Sequence, residues 1–394
     1  AGSKTVNGNS IVTGFNKTVA GGTVALYTDG GSSTSTTAHQ NNNNNFSNIT
    51  VTGATSITGW FNNDGTGSTP QKTITGNTFS NWTCGTGSVI VLQNNFGGGT
   101  LNISNNTISN ITAQAAITGL LEGSSNSATS TLTLANNSIT ALTATGAGGA
   151  VIGLSNSGLG TTTNINNNIV SGNSSTISAI GITTTGGTTV NVFKNTICDI
   201  AASASTSTVS GIVIAGGTTV NINNNRIADL RTPLANASNP LIGLSITGGT
   251  TVNTYYNTVH LNGTSSGTNF GSSAVSVSTT PTFDSRNNNF SNTSTPNGTG
   301  LSVAYRRSGT SLTNYASTSN RNNLFATHLF SDGTNNITTL LAYKTHVGPT
   351  RDLNSISENP TFLSTTCGNA NFLKINTVTP TGLESGGATI GSVT

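Results

Sequence analysis

The chain of 394 residues carries 13 Lys and Arg against 10 Asp and Glu, a net charge of +3; only 6% of its residues are charged and 32% are hydrophobic. The basic residues are scattered, with no basic stripe and no interleaved aromatics, which argues against a nucleic-acid-binding surface, and no run of about eighteen apolar residues occurs, so no membrane-spanning helix is expected. Low charge with many polar residues would suit a disordered chain, but Val, Ile, Leu and Phe recur in regular places, which a disordered chain does not require.

The chain opens Ala1-Gly2-Ser3-Lys4 and contains no Met, which reads as a mature or excised segment whose targeting sequence is gone. Residues 1–43 are expected to hold a first coil and a long Ser/Thr/Asn-rich insertion from Gly30 to Asn45, with His39 inside it, serving as a loose turn or a first cap. No amphipathic helix appears in this stretch to cover an open sheet end. Unpaired strand edges invite further pairing, so end-to-end association is expected.

From residue 44 to residue 262 one phrase repeats. Gly186-Gly187-Thr188-Thr189-Val190-Asn191-Val192 returns 30 residues later as Gly216-Gly217-Thr218-Thr219-Val220-Asn221-Ile222, and again at Gly248-Gly249-Thr250-Thr251-Val252-Asn253. Its most portable part is Asn-x-apolar, starting at Asn9, Asn44, Asn77, Asn106, Asn137, Asn167, Asn195, Asn225, Asn257, Asn288 and Asn322, at a mean step of about 31 residues. Each unit contains three strand-like runs. One contains glycine (Ile117 to Leu121, Ile152-Gly153-Leu154, Gly211 to Ile214). One alternates with period two (Leu101-Asn102-Ile103, Val220-Asn221-Ile222), which places one face inward and one outward. One follows the Asn (Ile108 to Ile111, Ile197 to Ile200).

A unit of this size cannot bury its apolar face alone but can do so stacked on its neighbours. The predicted fold is therefore all-β: a right-handed parallel β-helix solenoid of about eleven coils of roughly 31 residues, three strands per coil, about 4.8 Å apart and about 50 Å long in all. The Asn column is expected to mark sharp corners, because Asn tolerates left-handed backbone angles, and to form an asparagine ladder from coil to coil.

Residues 263–325 keep the period with Phe270, Phe283, Phe290, Tyr305 and Phe325 in place of some aliphatics, so 1–325 is assigned to the β-helix. Residues 326–394 are assigned to one or two terminal coils plus an irregular capping or docking segment. The repeat resembles the pectate-lyase-type right-handed β-helix proteins. The tail, with Glu358-Asn359-Pro360-Thr361-Phe362, Phe372-Leu373-Lys374-Ile375-Asn376 and Thr379-Pro380-Thr381, is similar to the ends of large secreted β-helix proteins of Bacteroidota, often exported by the type IX route. The second resemblance implies an extracellular or cell-surface location.

Chemistry is sparse. A hydrolase needs two placed carboxyl groups, and a lyase of this fold needs carboxylate ligands for calcium and a basic proton acceptor. Of Asp29, Asp64, Glu122, Asp199, Asp229, Asp284, Asp332, Asp352, Glu358 and Glu384, only Asp199 and Asp229 share a column, stacked about 5 Å apart with Arg226 and Arg231 near in sequence. They read first as an outer-face charge pair, and second as a catalytic or calcium site. His39, His260, His328 and His346 are scattered and form no Ser-His-Asp grouping. Cys84, Cys198 and Cys367 show no metal-ligand spacing, and Cys198, beside Ile197 and Ile200, reads as a buried thiol. No catalytic, cofactor-binding or metal site is assigned, and no cofactor is expected. The expected function is an extracellular structural protein, a β-helical component of a surface filament, matrix fibre or adhesive stalk. Its expected partners are copies of itself, joined head to tail as a homopolymer, and a surface or matrix polysaccharide. A polysaccharide lyase or glycoside hydrolase is the alternative, and a surface- or ice-binding solenoid presenting Thr188-Thr189, Thr218-Thr219 and Thr250-Thr251 is the third reading.

Overall fold

The structure is a computed structural model that describes residues 3–30, 38–63, 71–124, 130–384, 386–391 and 393. The chain divides into two compact units, Ala1–Asn191 and Val192–Thr394. Each is an all-β parallel solenoid with three strands per turn, and there are about 10 turns of ~31 residues in all.

One turn of the first unit shows how sequence becomes coil. Thr100–Ser104 forms an alternating strand, the chain corners at Asn105 and Asn106, Thr107–Ala113 forms a corner-sheet strand, and Ile117–Glu122 forms a glycine-sheet strand. The next turn lies on it in parallel register: Leu101 on Leu132 and Ile103 on Leu134, Ile108 on Ile139 and Ile111 on Leu142, Ile117 on Val151 and Leu120 on Leu154. All twelve are at most 1% exposed. Each such side chain taken from water contributes about 2 kcal/mol. The second unit repeats the pattern, with Val220 on Val252, Ile227 on Val259 and Ile212 on Leu244.

The corner has two residues with separate jobs. The first takes the left-handed conformation: Asn105 (φ 56°), Asn136, Asn167, Lys194, Asn224 and Tyr256 all stand at this position. The second is the ladder Asn, which carries the buried amide. In the first unit the amide Nδ2 of Asn44 donates to Asn77 Oδ1, Asn77 to Asn106 and Asn106 to Asn137, each at 2.9 Å, and Asn137 donates to Asn168 at 3.0 Å. The same Oδ1 also accepts the backbone N–H of the preceding ladder residue, as Asn137 does from Asn106 at 3.1 Å. The second unit has its own ladder through Asn195, Asn225, Asn257, Asn288 and Asn322. Two expectations are corrected here. The ladder residues are not the left-handed ones, and in the sixth coil the ladder residue is Asn168. Asn167 is the left-handed residue there, and Ile169, half exposed at 48%, faces outward while Val170 faces the core.

A second left-handed position sits inside the corner sheet. Ile108 and Ile111 both face inward although three residues apart, because Asn110 (φ 56°) between them absorbs the extra residue. Asn48, Asn81, Ala141, Gly172, Asp199 and Asp229 occupy the same place. The glycine sheet earns its name from close approach: a Cβ on Gly153 would lie 2.4 Å from Val170 Cγ1, and one on Gly211 2.5 Å from Ile227 Cγ2.

The expected insertion from Gly30 to Asn45 is shorter than the composition suggested. Ala38–Asn42 is an alternating strand and Asn45–Val51 a corner-sheet strand, and His39 faces the interior, 4% exposed. Residues 31–37 lie outside the described residues, as does Asp64. Near its first turn the core is polar: Lys72 Nζ lies 3.1 Å from Asp29 Oδ2, both side chains fully buried, and Lys4 also pairs with Asp29. Burial pushes the Asp29 carboxyl up, but the hydrogen bonds and charges of the two lysines outweigh it and hold it below the usual value. In the second unit Phe270, Phe283, Phe290 and Tyr305 are buried as their spacing implies, whereas Phe325 stands on the outer face, in register with Ser291.

The last turns of the second unit close differently. Asn336–Ile337 runs antiparallel on His328–Ser331, and a helix, Leu340–Val347, buries Tyr343 and Val347. Thr339 caps its start by accepting from Ala342 N, and Gly348 (φ 90°) ends it. The ladder terminates on Asp352: Asn322 Nδ2 donates to its Oδ1 at 3.0 Å, and the Tyr343 hydroxyl donates to its Oδ2 at 2.7 Å. Burial, with the Asp352 charge, pushes the Tyr315 and Tyr343 phenols well above their ordinary value.

The ladder sets a test. Asn137→Ala strands the donors of Asn106 and the carbonyl of Ile103, which Asn137 Nδ2 now bonds at 3.0 Å; urea unfolding is expected to show a loss of about 4 kcal/mol. Asn105→Gly, which only keeps the left-handed corner, is expected to change stability by less than about 1 kcal/mol. Equal effects would contradict the division of labour at the corner.

A second test concerns Glu122. It is fully buried in an inner polar column with Asn62, Asn94 and Asn156. Burial pushes its carboxyl from 4.5 up to about 7, against hydrogen bonds from Ser124 and from Asn94 Nδ2 at 2.7 Å. Since the folded form holds the proton more tightly than the unfolded one, the contribution of Glu122 to stability is full below pH 4.5 and is lost as pH rises to 7. The total is about 3 kcal/mol. In Glu122→Gln that contribution is expected to disappear, seen as the difference between the wild-type and variant unfolding free energies across this range.

Candidate functional site

The second unit covers part of its own corner sheet. Residues just after the inward ones face outward. In the first unit this column is Ser47, Ser80, Ser109, Thr140 and Ser171. In the second unit Cys198 follows Ile197, and Ala228, His260 and Ser291 follow in register. Here the C-terminal segment folds back as a strap. Phe362, Cys367, Phe372 and Leu373 pack on Cys198 and Ala228, and Cys198 is bonded to Cys367 as a disulfide across a sequence separation of 169. The expected buried thiol at Cys198 is thus half of a cystine. Its place on the outer face, beside an inward Ile197, leaves it open to a partner from elsewhere in the chain. Cys84 is the buried free thiol instead, and burial pushes it up to about 12.

Beside the cystine lies a cavity of about 410 Å³ lined by Asp199, Asp229, His260, Asn262, Thr365 and Thr366. The structure does bring Asp199 and Asp229 together in equivalent positions one coil apart. Their shared role is conformational: both stand at the left-handed position inside the corner sheet (φ 54° and 52°), where Asn, Asp and Gly are favoured. Arg231 bridges them, one guanidinium nitrogen to each carboxylate. Arg226 takes no part in the clasp. It donates to Phe372 O at 3.1 Å and to Thr196 Oγ1 at 3.2 Å, tying the strap to the sheet. His260 has its ring edge-on to Phe362 at 5.2 Å and its Nδ1 3.3 Å from Ser291 Oγ; burial holds its pKa below the ordinary value.

Two carboxylates clasped by one guanidinium form a closed ion-pair network. Glycoside hydrolysis needs one carboxyl to carry a proton and the other to stay ionised, and nothing in this geometry separates the two groups. Among the described residues no group of three or more His, Cys, Asp and Glu gathers to hold a metal ion. The remaining histidines stand apart: His328 opens a glycine-sheet strand, and His346 lies on the helix with Nε2 3.5 Å from Asp332 Oδ2. The threonine stripe is longer than the Thr-Thr repeat implied. In the first unit Thr100, Thr131 and Thr162 align, with Asn102, Thr133 and Asn164 two residues on. In the second Thr219, Thr251 and Thr282 align, and Asn253 Nδ2 donates to Asn221 Oδ1 at 2.9 Å.

No family model, curated protein or solved structure matches this chain. What fold and site define is a class: a parallel β-solenoid with internal asparagine ladders and a disulfide-fastened strap.

The aspartates give a direct test. Because Arg231 keeps one partner and Asn suits the left-handed position, Asp199→Asn is expected to cost less than about 1 kcal/mol. Asp199→Val, β-branched at a positive φ, is expected to cost about 2 kcal/mol by thermal unfolding. Comparable losses would make the charge, rather than the backbone, the reason for Asp.

Proposed function

We propose that this chain is an extracellular structural β-solenoid, a component of a surface filament, matrix fibre or adhesive stalk. The observation that carries it is where the buried polar groups go. From coil to coil, in both units, the corner amides are committed to stacking one turn on the next. The best-placed pair of carboxylates is committed to an ion-pair clasp. The cystine supports a location outside the reducing cytoplasm, as does the likeness of the tail to secreted β-helix proteins of Bacteroidota. The likeness of the repeat to pectate-lyase-type proteins bears on fold, and fold alone supplies no reaction.

Self-association is part of this proposal. Among the described residues Lys4–Thr5, Ser10–Ile11, Phe15–Lys17 and Thr23–Asp29 are each paired on one side only, and a strand edge of that kind offers its backbone groups to any further coil, one from a second copy included. The last turns are covered by the helix and by Asn336–Ile337, so a head-to-tail joint requires those elements to move aside. Light scattering and negative-stain images over a concentration series test this. Particles that lengthen with concentration are expected, and single short particles throughout would remove the association. Cleavage of a polyuronate, lost in Asp199→Asn, would replace the structural reading with the lyase or hydrolase alternative.

A further inference from the structure

We propose a binding site for a neutral sugar unit in the cavity between the strap and the start of the corner sheet in the second unit. It stands whether or not copies of the chain associate. The cavity measures about 350 Å³, at the small end of the roughly 300–1,000 Å³ usual for small-molecule clefts.

The cavity exists because the strap touches the sheet at some rungs and lifts away at another. Arg226, Thr258, Asn289 and Asn323 form one outward column. At one rung Arg226 bonds the strap at Phe372 O. At another, Asn323 closes on the strap through both ends of its amide: Nδ2 donates to Glu358 O at 2.9 Å, and Oδ1 accepts from Glu358 N at 2.8 Å. Asn289, between them, does not close. Its Oδ1 accepts from Asn323 Nδ2 at 2.9 Å, but its Nδ2 has no hydrogen-bond partner although the residue is only 7% exposed and lines the cavity. A buried amide donor without a partner costs about 1–3 kcal/mol. A ligand oxygen placed there removes that cost.

The rest of the wall narrows the ligand's chemistry. Arg321 and Glu384 bring one charge of each sign, so the cavity has no net charge to favour a phosphate, a nucleotide or a uronate. Tyr256, Ile375 and Leu383 supply flat apolar surface beside these polar groups. A sugar ring has this mixed character: hydroxyl oxygens accept from Asn289 and Arg321, a hydroxyl hydrogen donates to Glu384, and the C–H faces lie on the apolar wall. The strap holds its side of the cavity independently of the ligand. Arg321 Nη1 donates to Gly386 O at 3.0 Å, and Asn287 bonds Ala388 through both amide ends at 2.8 and 3.0 Å.

The test is titration of the full chain, disulfide intact, with D-galactose, D-mannose and N-acetylglucosamine, and with galacturonate as the charged counterpart. Saturation-transfer NMR detects binding and calorimetry gives affinities. At least one neutral sugar is expected to bind, more tightly than galacturonate. Asn289→Asp keeps the acceptor for Asn323 but removes the free donor, and is expected to weaken binding about tenfold. Leu383→Trp, on the strap, fills the cavity and is expected to abolish binding while the thermal midpoint holds. Failure of all three neutral sugars to bind, tighter binding of galacturonate, or wild-type affinity in both variants would overturn the assignment.

Discussion

Everything in this molecule depends on one turn lying in register on the next. Apolar columns alone rule out a slip of one residue but not of two, because side chains alternate with period two and a two-residue slip keeps the same face inward. The ladder amides fix it. Each offers two donors and an acceptor in a fixed geometry, buried where a slip along the strand would leave them unpaired. The side chain–side chain bonds of 2.9–3.0 Å along Asn44 to Asn168, and again along Asn195 to Asn322, set the spacing that the core then fills. The last Asn of the second ladder hands its donor to Asp352, so the series ends on a group of fixed geometry and not on water.

Much of this was legible in the sequence because a solenoid writes its period along the chain. The three runs per unit, the burial of Ile108, Ile139 and Ile197, and coil-to-coil hydrogen bonding between Asn side chains all follow from spacing. The errors have physical causes. In the stretch Asn166-Asn167-Asn168-Ile169-Val170 both the amide and the apolar signals are offset by one residue, so Asn167-x-Ile169 fits the repeat in letters while the backbone uses Asn168 and Val170. Asp199 and Asp229 read first as an outer-face charge pair, and Arg231 does bridge them; what the reading missed is that their column is one of left-handed residues, visible once Asn48, Asn81 and Asn110 are placed on it.

The strap was not legible. Its contacts join residues more than a hundred positions apart, as Arg226 and Phe372 do, and no periodicity reports such a fold-back. The only sequence hint was the interruption of an outward Ser/Thr column by Cys198 and Ala228, residues that prefer cover to water. Both cavities of this region lie where the strap meets the sheet, so the irregular tail creates concave surface in the second unit.

The cystine also decides how the protein bears tension. A pull applied to the two chain ends reaches Cys198, crosses the sulfur bridge to Cys367, and leaves the intervening chain unloaded across its sequence separation of 169. At about 3.4 Å per extended residue, roughly 570 Å of contour is withheld from stretching. Under oxidising conditions only residues outside that loop can pay out, so the strap's single covalent fastening makes much of the second unit inextensible.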